Sequence, residues 1–290
     1  MNSTVVSFAA GWHVQAASSY RRDTTTTANF LWQLTWRIPS LKAGTAVLTN
    51  DMPILYSSDN SLTAPLNWTF APDNRSRNMS YILYYPSIRL QTGLNNMQPG
   101  APIQQDYLAA TYQGSTDQVL LVVYEPPGCV RVLDPQVDAA NPLLAPILRD
   151  LAAASDPSVI TFSRKHAPPV EVYPHEPGRG WCYHFQLADL ARQQGDWEQV
   201  AALAERAFAL DDYPNHPQER YPFIEGYAHT GDWDAALAQS NLAGGVSPLV
   251  QPSLCALWQR IQQDTPASSG KTSALQTIIR QWGCQIPLTP

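Results

Sequence analysis

Acidic and amide side chains follow the first predicted strand of the chain. Asn50 and Asp51 come directly after the apolar run 45–49, and Asp59 and Asn60 follow a few residues later. Sheets of α/β proteins place ligand sites outside the carboxyl ends of their strands. Two carboxylates at such an edge are suited to act as acid and base or to bind a cation. Asp, Asn and Ser also cap turns and helix starts, and the sequence favours this structural interpretation.

Aromatic side chains follow this polar stretch and suggest a second chemistry. Trp68 and Tyr84 lie among several further tyrosines of the segment 68–85. Aromatic rings stack on the apolar faces of sugars, although such residues more often belong to a core or a half-buried strand. The candidate binding residues are therefore Asp51, Asp59, Asn60, Trp68 and Tyr84, with a glycan as one candidate ligand.

Signatures of catalysis are missing from the sequence. There is no Gly-x-Ser-x-Gly, no His-Glu-x-x-His, no phosphate-binding loop and no dinucleotide fingerprint. The six histidines include no pair at helical i, i+4 spacing, and no two cysteines form Cys-x-x-Cys. The sequence favours a non-catalytic protein and indicates no catalytic residue, metal ion or cofactor.

The composition indicates a protein of the cell exterior. Charged residues are only 14%, lysine occurs at positions 42, 165 and 271 alone, and proline, tyrosine and tryptophan are abundant. The net charge of −6 and the absence of a basic cluster argue against nucleic acid and against an anionic membrane surface as partners. We expect an extracytoplasmic location at the cell surface or in a periplasm-like compartment.

The N-terminal stretch 1–17 is apolar without a basic flank, and three interpretations are open. It is an ordinary buried strand or helix, the end of a transmembrane helix of a longer protein, or an atypical signal or inserting arm. The second interpretation gives the chain a membrane contact only through a missing N-terminal segment. The third allows self-assembly.

Two regions of different periodicity divide the chain. Apolar spacing predicts a helix over 24–37, and strand-like runs follow at 45–49, 81–85, 107–112, 118–124 and 129–133. The run 118–124 shows no alternation, which predicts a central strand covered on both faces. The predicted fold is an α+β or α/β domain over 1–165, a proline-rich linker over 166–180 and an all-α domain over 181–290.

A repeat marks the helical region. Gly195-Asp196-Trp197 recurs 36 residues later as Gly231-Asp232-Trp233. Glycine suits the left-handed residue that ends one helix, and aspartate suits the N-cap of the next. The unit resembles the tetratricopeptide repeat, and segments 252–263 and 271–283 are expected to cap the stack. The resemblance implies a protein or peptide partner bound by the helical surface.

Four cysteines, Cys129, Cys182, Cys255 and Cys284, are either free and buried or paired in one of three ways. Cys255 lies early in one predicted helix and Cys284 just after the next, so antiparallel helices bring them together. Cys129 is then left to pair with Cys182.

The order of features over residues 11–165 is also similar to the exterior domain of bacterial polytopic membrane proteins of the glycosyltransferase type. Tyr20-Arg21-Arg22-Asp23, the helix ending at Arg37, and Gly44-Thr45-Ala46-Val47-Leu48 carry this resemblance. It implies a location outside the membrane within a larger protein and carries over no catalytic residue.

Three functions are compatible with these observations. The first is a non-catalytic extracytoplasmic module that binds a protein or a glycan within a larger cell-envelope protein or assembly. The second is an accessory domain of a membrane glycosyltransferase that positions a glycan or a lipid-linked sugar. The third is a subunit of an extracellular filament or surface layer.

Overall fold

The computed structural model describes residues 2–90, 97–173 and 175–287, and its first element is the long helix α1 (Asn2–Arg37). The predicted helix over 24–37 is its second half, which ends where Pro39 disfavours further helix. From Ser19 to Phe30 every third or fourth residue is buried, including Asp23 and Thr27, and from Phe30 to Arg37 every residue is buried. The side chains from Val5 to Gln15 are all exposed, so the interpretation of this stretch as a buried element is wrong.

None of the helices in the described ranges is long and apolar enough to cross a bilayer.

Within its described residues, the remainder of the N-terminal region combines nine short strands with three α-helices. The strands are β1 (Ser40–Leu41), β2 (Ala46–Thr49), β3 (Asn78–Met79), β4 (Ile82–Tyr84), β5 (Pro102–Asp106), β6 (Thr111–Ser115), β7 (Val119–Val123), β8 (Arg131–Val132) and β9 (Ile160–Thr161). The helices are α2 (Asp59–Phe70), α3 (Pro86–Arg89) and α4 (Pro146–Ala152).

A mixed four-stranded sheet in the order β4-β2-β7-β8 forms the centre of this region. β2 is parallel to both β4 and β7, and β8 returns antiparallel to β7. A second sheet has the order β3-β6-β5, and β1 pairs with β9. The predicted strands at 45–49, 81–85 and 118–124 are confirmed. The strand predicted at 107–112 is wrong, because β5 and β6 pair around a turn within that segment.

The central strands are buried on both faces, as the lack of alternation predicts. On one face Val47, Leu120 and Val122 pack with α1 and α2. On the other face Leu48 and Leu121 pack with α4 and the second sheet. Every residue of β7 is buried, which accounts for its unbroken run of β-branched and leucine side chains.

Six helices build the C-terminal region, so the prediction of an α+β region followed by helices is confirmed. They are α5 (Trp181–Gln193), α6 (Trp197–Phe208), α7 (Tyr221–Thr230), α8 (Trp233–Gly244), α9 (Gln251–Asp264) and α10 (Ser269–Trp282). Apolar side chains of α7–α10 share one core, and those of α5–α7 share another.

The Gly-Asp-Trp triplets occupy the same place in two helical hairpins. Gly195 and Gly231 both adopt the left-handed conformation, with φ of 71° and 84°. Asp196 and Asp232 cap α6 and α8, each accepting a hydrogen bond from the backbone N–H three residues on, at 3.1 and 3.0 Å.

Each triplet tryptophan is half-buried against the following hairpin. The Trp197 ring stacks on His229 at the end of α7, with 3.7 Å between ring centroids. The Trp233 ring lies against Gly270 at the start of α10, where a side chain would collide with it. The two tryptophans thus occupy equivalent positions within their hairpins but contact different helices of the next one.

Two disulfides, Cys129–Cys182 and Cys255–Cys284, join the pairs expected from the sequence. The first connects the turn after β7 to the first turn of α5. The second connects α9 to Cys284, two residues after the end of α10. One disulfide therefore links the two regions of the chain, and the other lies within the helical region.

The proline-rich segment 166–180 contains neither helix nor strand among its described residues, and its Pro174 lies outside them. It lies against the folded body, because Tyr173 is buried and the Trp36 indole N–H donates to the Glu176 carboxylate at 3.0 Å. The two regions on either side of this segment are in direct contact.

Candidate functional site

Buried ion pairs join the two regions. The Arg37 Nε of α1 lies 2.5 Å from an Asp189 carboxylate oxygen of α5, and Arg192 Nε lies 2.8 Å from the other oxygen. Arg192 also lies 3.4 Å from Asp134 in the N-terminal region. Burial alone would raise the pKa of Asp189, but the two arginines hold that pKa well below its usual range. These ion pairs join the two regions, although the buried Arg37 Nη2 has no hydrogen-bond partner among the described residues.

The first helix of each hairpin faces the N-terminal region. Arg260 of α9 pairs with both Asp134 and Glu225 of α7, and Gln186 of α5 donates to the Val130 carbonyl. Val137 completes the apolar core of α7–α10. Residues 129–141 therefore cover the surface that α5, α7 and α9 would otherwise present.

Asp59, one of the predicted site residues, is buried at the start of α2 and paired with Arg89. The guanidinium donates to both carboxylate oxygens, at 2.5 and 2.8 Å, and the Tyr85 backbone N–H adds a third contact at 3.3 Å. With its oxygens engaged in this way, Asp59 positions α3 beside α2.

Asn60 and Tyr84 belong to the same cluster. The Asn60 side-chain oxygen accepts from Arg89 at 2.6 Å and from the Tyr107 hydroxyl at 2.7 Å. The Arg89 guanidinium lies over the Tyr84 ring, 5.2 Å from its centroid, and burial raises the pKa of the Tyr84 hydroxyl. The structure thus brings three of the predicted residues together around Arg89, which no pattern in the sequence indicates.

Asp51 and Trp68 lie apart from this cluster. Asp51 is exposed and accepts a hydrogen bond of 2.5 Å from Ser87 of α3. Trp68 is half-exposed in the C-terminal half of α2, where it lines a separate cavity of about 230 Å³ with Asn74 and Arg75. Asp51 and Asp59 are bonded to different side chains of α3.

Two larger cavities flank the segment that follows β2. We call the first the tyrosine pocket: it has a volume of about 240 Å³ and is lined by Tyr20, Asp23, Tyr56, Ser61 and Tyr173, among others. We call the second the switch-point groove: it has a volume of about 940 Å³ and lies between α1 and the segments after β2 and β7.

The position of the groove follows from the topology. The chain leaves β2 through α2 to β4 on one side and later reaches β7 on the other side of β2. The groove therefore lies outside the carboxyl ends of β2 and β7, where open α/β sheets bind their ligands. Cavities thus lie at the predicted edge of the sheet, but the residues that line them are other than those predicted.

The tyrosine pocket is built by α1 and the segment after β2. The Tyr20 and Tyr56 rings stack with centroids 4.2 Å apart and an interplanar angle of 18°. An Asp23 carboxylate oxygen accepts from the Tyr56 backbone N–H at 2.9 Å, which fixes this segment against α1. Both tyrosines remain partly exposed, at 56% and 45%. Tyr20 and Asp23 lie one helical turn apart in the stretch Tyr20-Arg21-Arg22-Asp23, but no pattern in the sequence connects them with Tyr56.

Comparison with known proteins finds no matching family model, no matching curated protein and no matching solved structure.

Proposed function

We propose that this chain is a non-catalytic extracytoplasmic module of a cell-envelope protein and that it binds a glycan in the tyrosine pocket. The observation that carries the proposal is the stacked pair Tyr20–Tyr56 next to the buried Asp23 carboxylate. Aromatic faces bind the C–H faces of sugar rings, and a carboxylate fixes their hydroxyls by charge-assisted hydrogen bonds. Pockets of this kind combine apolar contact with a few convergent polar groups.

The proposed location has independent support. Two disulfides are compatible with an oxidising compartment outside the cytoplasm, where such bonds persist. The resemblance of residues 11–165 to the exterior domains of glycosyltransferase-type membrane proteins points to the same compartment. It extends the proposal to an accessory role, in which the module positions a glycan for a membrane-bound enzyme.

For the helical region we propose a tetratricopeptide-type stack that acts as a support. The equivalent caps at Asp196 and Asp232 and the left-handed glycines favour this relationship. Because residues 129–141 contact the inner helices α5, α7 and α9, a peptide partner has less access to that surface than the resemblance implies. This is why we place ligand binding in the N-terminal region.

Binding to a glycan array, followed by titration calorimetry of the best ligand, tests the proposal. Replacing Tyr56 or Tyr20 by Ala should weaken binding about tenfold, since each removes a stacking face worth about 1.4 kcal/mol. Tyr213 is 71% exposed and lies far along the chain in the α6–α7 connection, so Tyr213→Ala is the matched control with unchanged binding. A glycan that binds equally well to Tyr20→Ala, Tyr56→Ala and the wild type contradicts the proposed pocket, and failure of all glycans to bind contradicts the function.

A further inference from the structure

The tyrosine pocket contains a single charged side chain among the described residues that line it, the Asp23 carboxylate. The rest of the lining consists of tyrosine, threonine, serine and apolar side chains, and no Arg, Lys or His belongs to it. Asp23 is only 9% exposed. A buried carboxylate costs free energy unless a counter-charge or hydrogen bonds compensate it, so the partners of Asp23 decide what the pocket can bind.

One oxygen of the Asp23 carboxylate is open to a ligand. The other oxygen accepts from the Tyr56 backbone N–H at 2.9 Å. Within the described part of the chain, Asp23 forms no ion pair and accepts no second hydrogen bond. The pocket therefore presents a negatively charged acceptor that the protein itself leaves without a cation.

The two arginines that precede Asp23 on α1 do not supply this cation. Successive residues of a helix are turned by about 100°, so the side chains of Arg22 and Arg21 leave the helix about 100° and 200° away from Asp23. The Arg22 guanidinium donates to the Ser19 hydroxyl at 3.1 Å, and both arginines line the switch-point groove with Ser19. Neither arginine lines the tyrosine pocket.

The other elements around the pocket also leave Asp23 without a described counter-charge. The one charged residue of α2 is Asp59, which is already paired with Arg89. Segment 166–180 contributes two residues to the lining, and the exposed Glu171 and His175 on either side of them lie outside it. A cation at Asp23 must therefore come from the ligand.

We propose that the tyrosine pocket selects sugars that carry a free, protonated amino group; this inference rests on the proposed glycan binding. The ammonium group donates a charge-assisted hydrogen bond to the open Asp23 oxygen. The C–H face of the sugar ring lies on the exposed face of Tyr20 or Tyr56, where the positive charge adds a cation–π attraction. N-acetylation removes the positive charge, and the carboxylate of a uronic acid is repelled by Asp23.

A glycan array printed with matched sets of sugars tests the inference. Each set holds one pyranose with a hydroxyl, an amino or an N-acetylamino group at carbon 2, and the corresponding uronic acid. At neutral pH the wild type should bind the amino sugar about tenfold more tightly than its hydroxyl and N-acetylamino counterparts, since a charge-assisted hydrogen bond is about twice as strong as a neutral one. The uronic acid should bind most weakly.

The variant Asp23→Asn isolates the charge. Asparagine has the same shape and keeps an oxygen for the Tyr56 N–H, so this variant should bind the hydroxyl sugar like the wild type and lose the tenfold preference for the amino sugar. The matched control is Asp150→Asn, which removes a carboxylate that is 72% exposed on α4 and should keep the preference.

The outcomes separate this inference from the proposed function. Equal binding of the amino sugar and its hydroxyl counterpart to the wild type overturns the amino-sugar preference and leaves glycan binding in place. A preference that persists in Asp23→Asn overturns the role of Asp23. Failure of every sugar to bind contradicts the proposed function and the inference with it. The wild-type comparison decides the question even where Asp23→Asn does not fold.

Discussion

Replacing Asp189 by Asn should lower the free energy of unfolding by about 3–5 kcal/mol. The carboxylate binds Arg37, whose side chain is 1% exposed, and also Arg192, so the substitution leaves buried guanidinium groups short of a counter-charge. Urea unfolding followed by circular dichroism measures the effect. The expected loss is a large share of the roughly 5–15 kcal/mol by which an ordinary domain is stable against unfolding.

Two further variants separate the effect of unpairing a buried charge from the effect of losing any carboxylate. Asp150→Asn removes a carboxylate that is 72% exposed and lies 3.8 Å from Arg149, and it should change stability by no more than about 0.5 kcal/mol. The double variant Arg37→Met/Asp189→Leu should recover most of the loss, because no unpaired charge then remains at that contact. An Asp189→Asn protein as stable as the Asp150→Asn protein contradicts the proposed role of the network.

The same variant should show a specific dependence on pH. Arg37 and Arg192 hold the folded-state pKa of Asp189 below its value in the unfolded chain, although burial opposes them. Ionised Asp189 therefore stabilises the fold fully above about pH 4, and this contribution is lost as the pH falls through the folded-state pKa. The difference in stability between wild type and Asp189→Asn should accordingly shrink in acid.

Removing the disulfide between the two regions should have an effect of similar size. Cys129→Ser/Cys182→Ser opens a loop closed over a sequence separation of 53, which in the chain-entropy model destabilises by about 4 kcal/mol. Urea unfolding under oxidising conditions measures the loss. Hydrogen exchange should rise at the turn after β7 and in the first turn of α5.

Cys255→Ser/Cys284→Ser is the matched comparison. Its sequence separation is 29, so the expected loss is about 3.5 kcal/mol. The two expected losses of stability are too similar to tell the two disulfides apart. The location of increased hydrogen exchange distinguishes them, because Cys255→Ser/Cys284→Ser should loosen the start of α9 and the end of α10. Unchanged urea midpoints in both variants would show that the bonds add nothing to stability.

The features that could be predicted from the sequence depend on local patterns. The unbroken apolar run of β7 indicated burial on both faces, and the glycine and aspartate of each Gly-Asp-Trp triplet marked a helix end and a helix start. The cysteine pairs followed from helices that run antiparallel. Each of these signals lies within a few residues or within one hairpin, so an apolar periodicity or a helix cap can be recognised in the sequence.

The features that could not be predicted join distant parts of the chain. Tyr20 and Tyr56 meet only because α1 passes over the segment after β2, and no pattern in the sequence indicates their contact. Asp59 was a candidate site residue because it is a carboxylate that follows a strand. In the structure it is paired with Arg89, which lies thirty residues later in the sequence. Arg37 and Asp189 are 152 positions apart, so nothing local indicates their contact. The exposed half of α1 was also missed, since its serines and alanines have no strong helical period.

The contacts of Asp134 impose an order of events on a chain that emerges from its amino end. Arg260 lies 126 positions further on, so the first region is synthesised long before its last ionic partner is available. Until then Asp134 can pair with Arg192 of α5 but not with Arg260, and Val137 lacks part of the helical surface that covers it. The native contacts of the first region are therefore completed only after α9 has been synthesised, and until then this region exposes surface that favours aggregation.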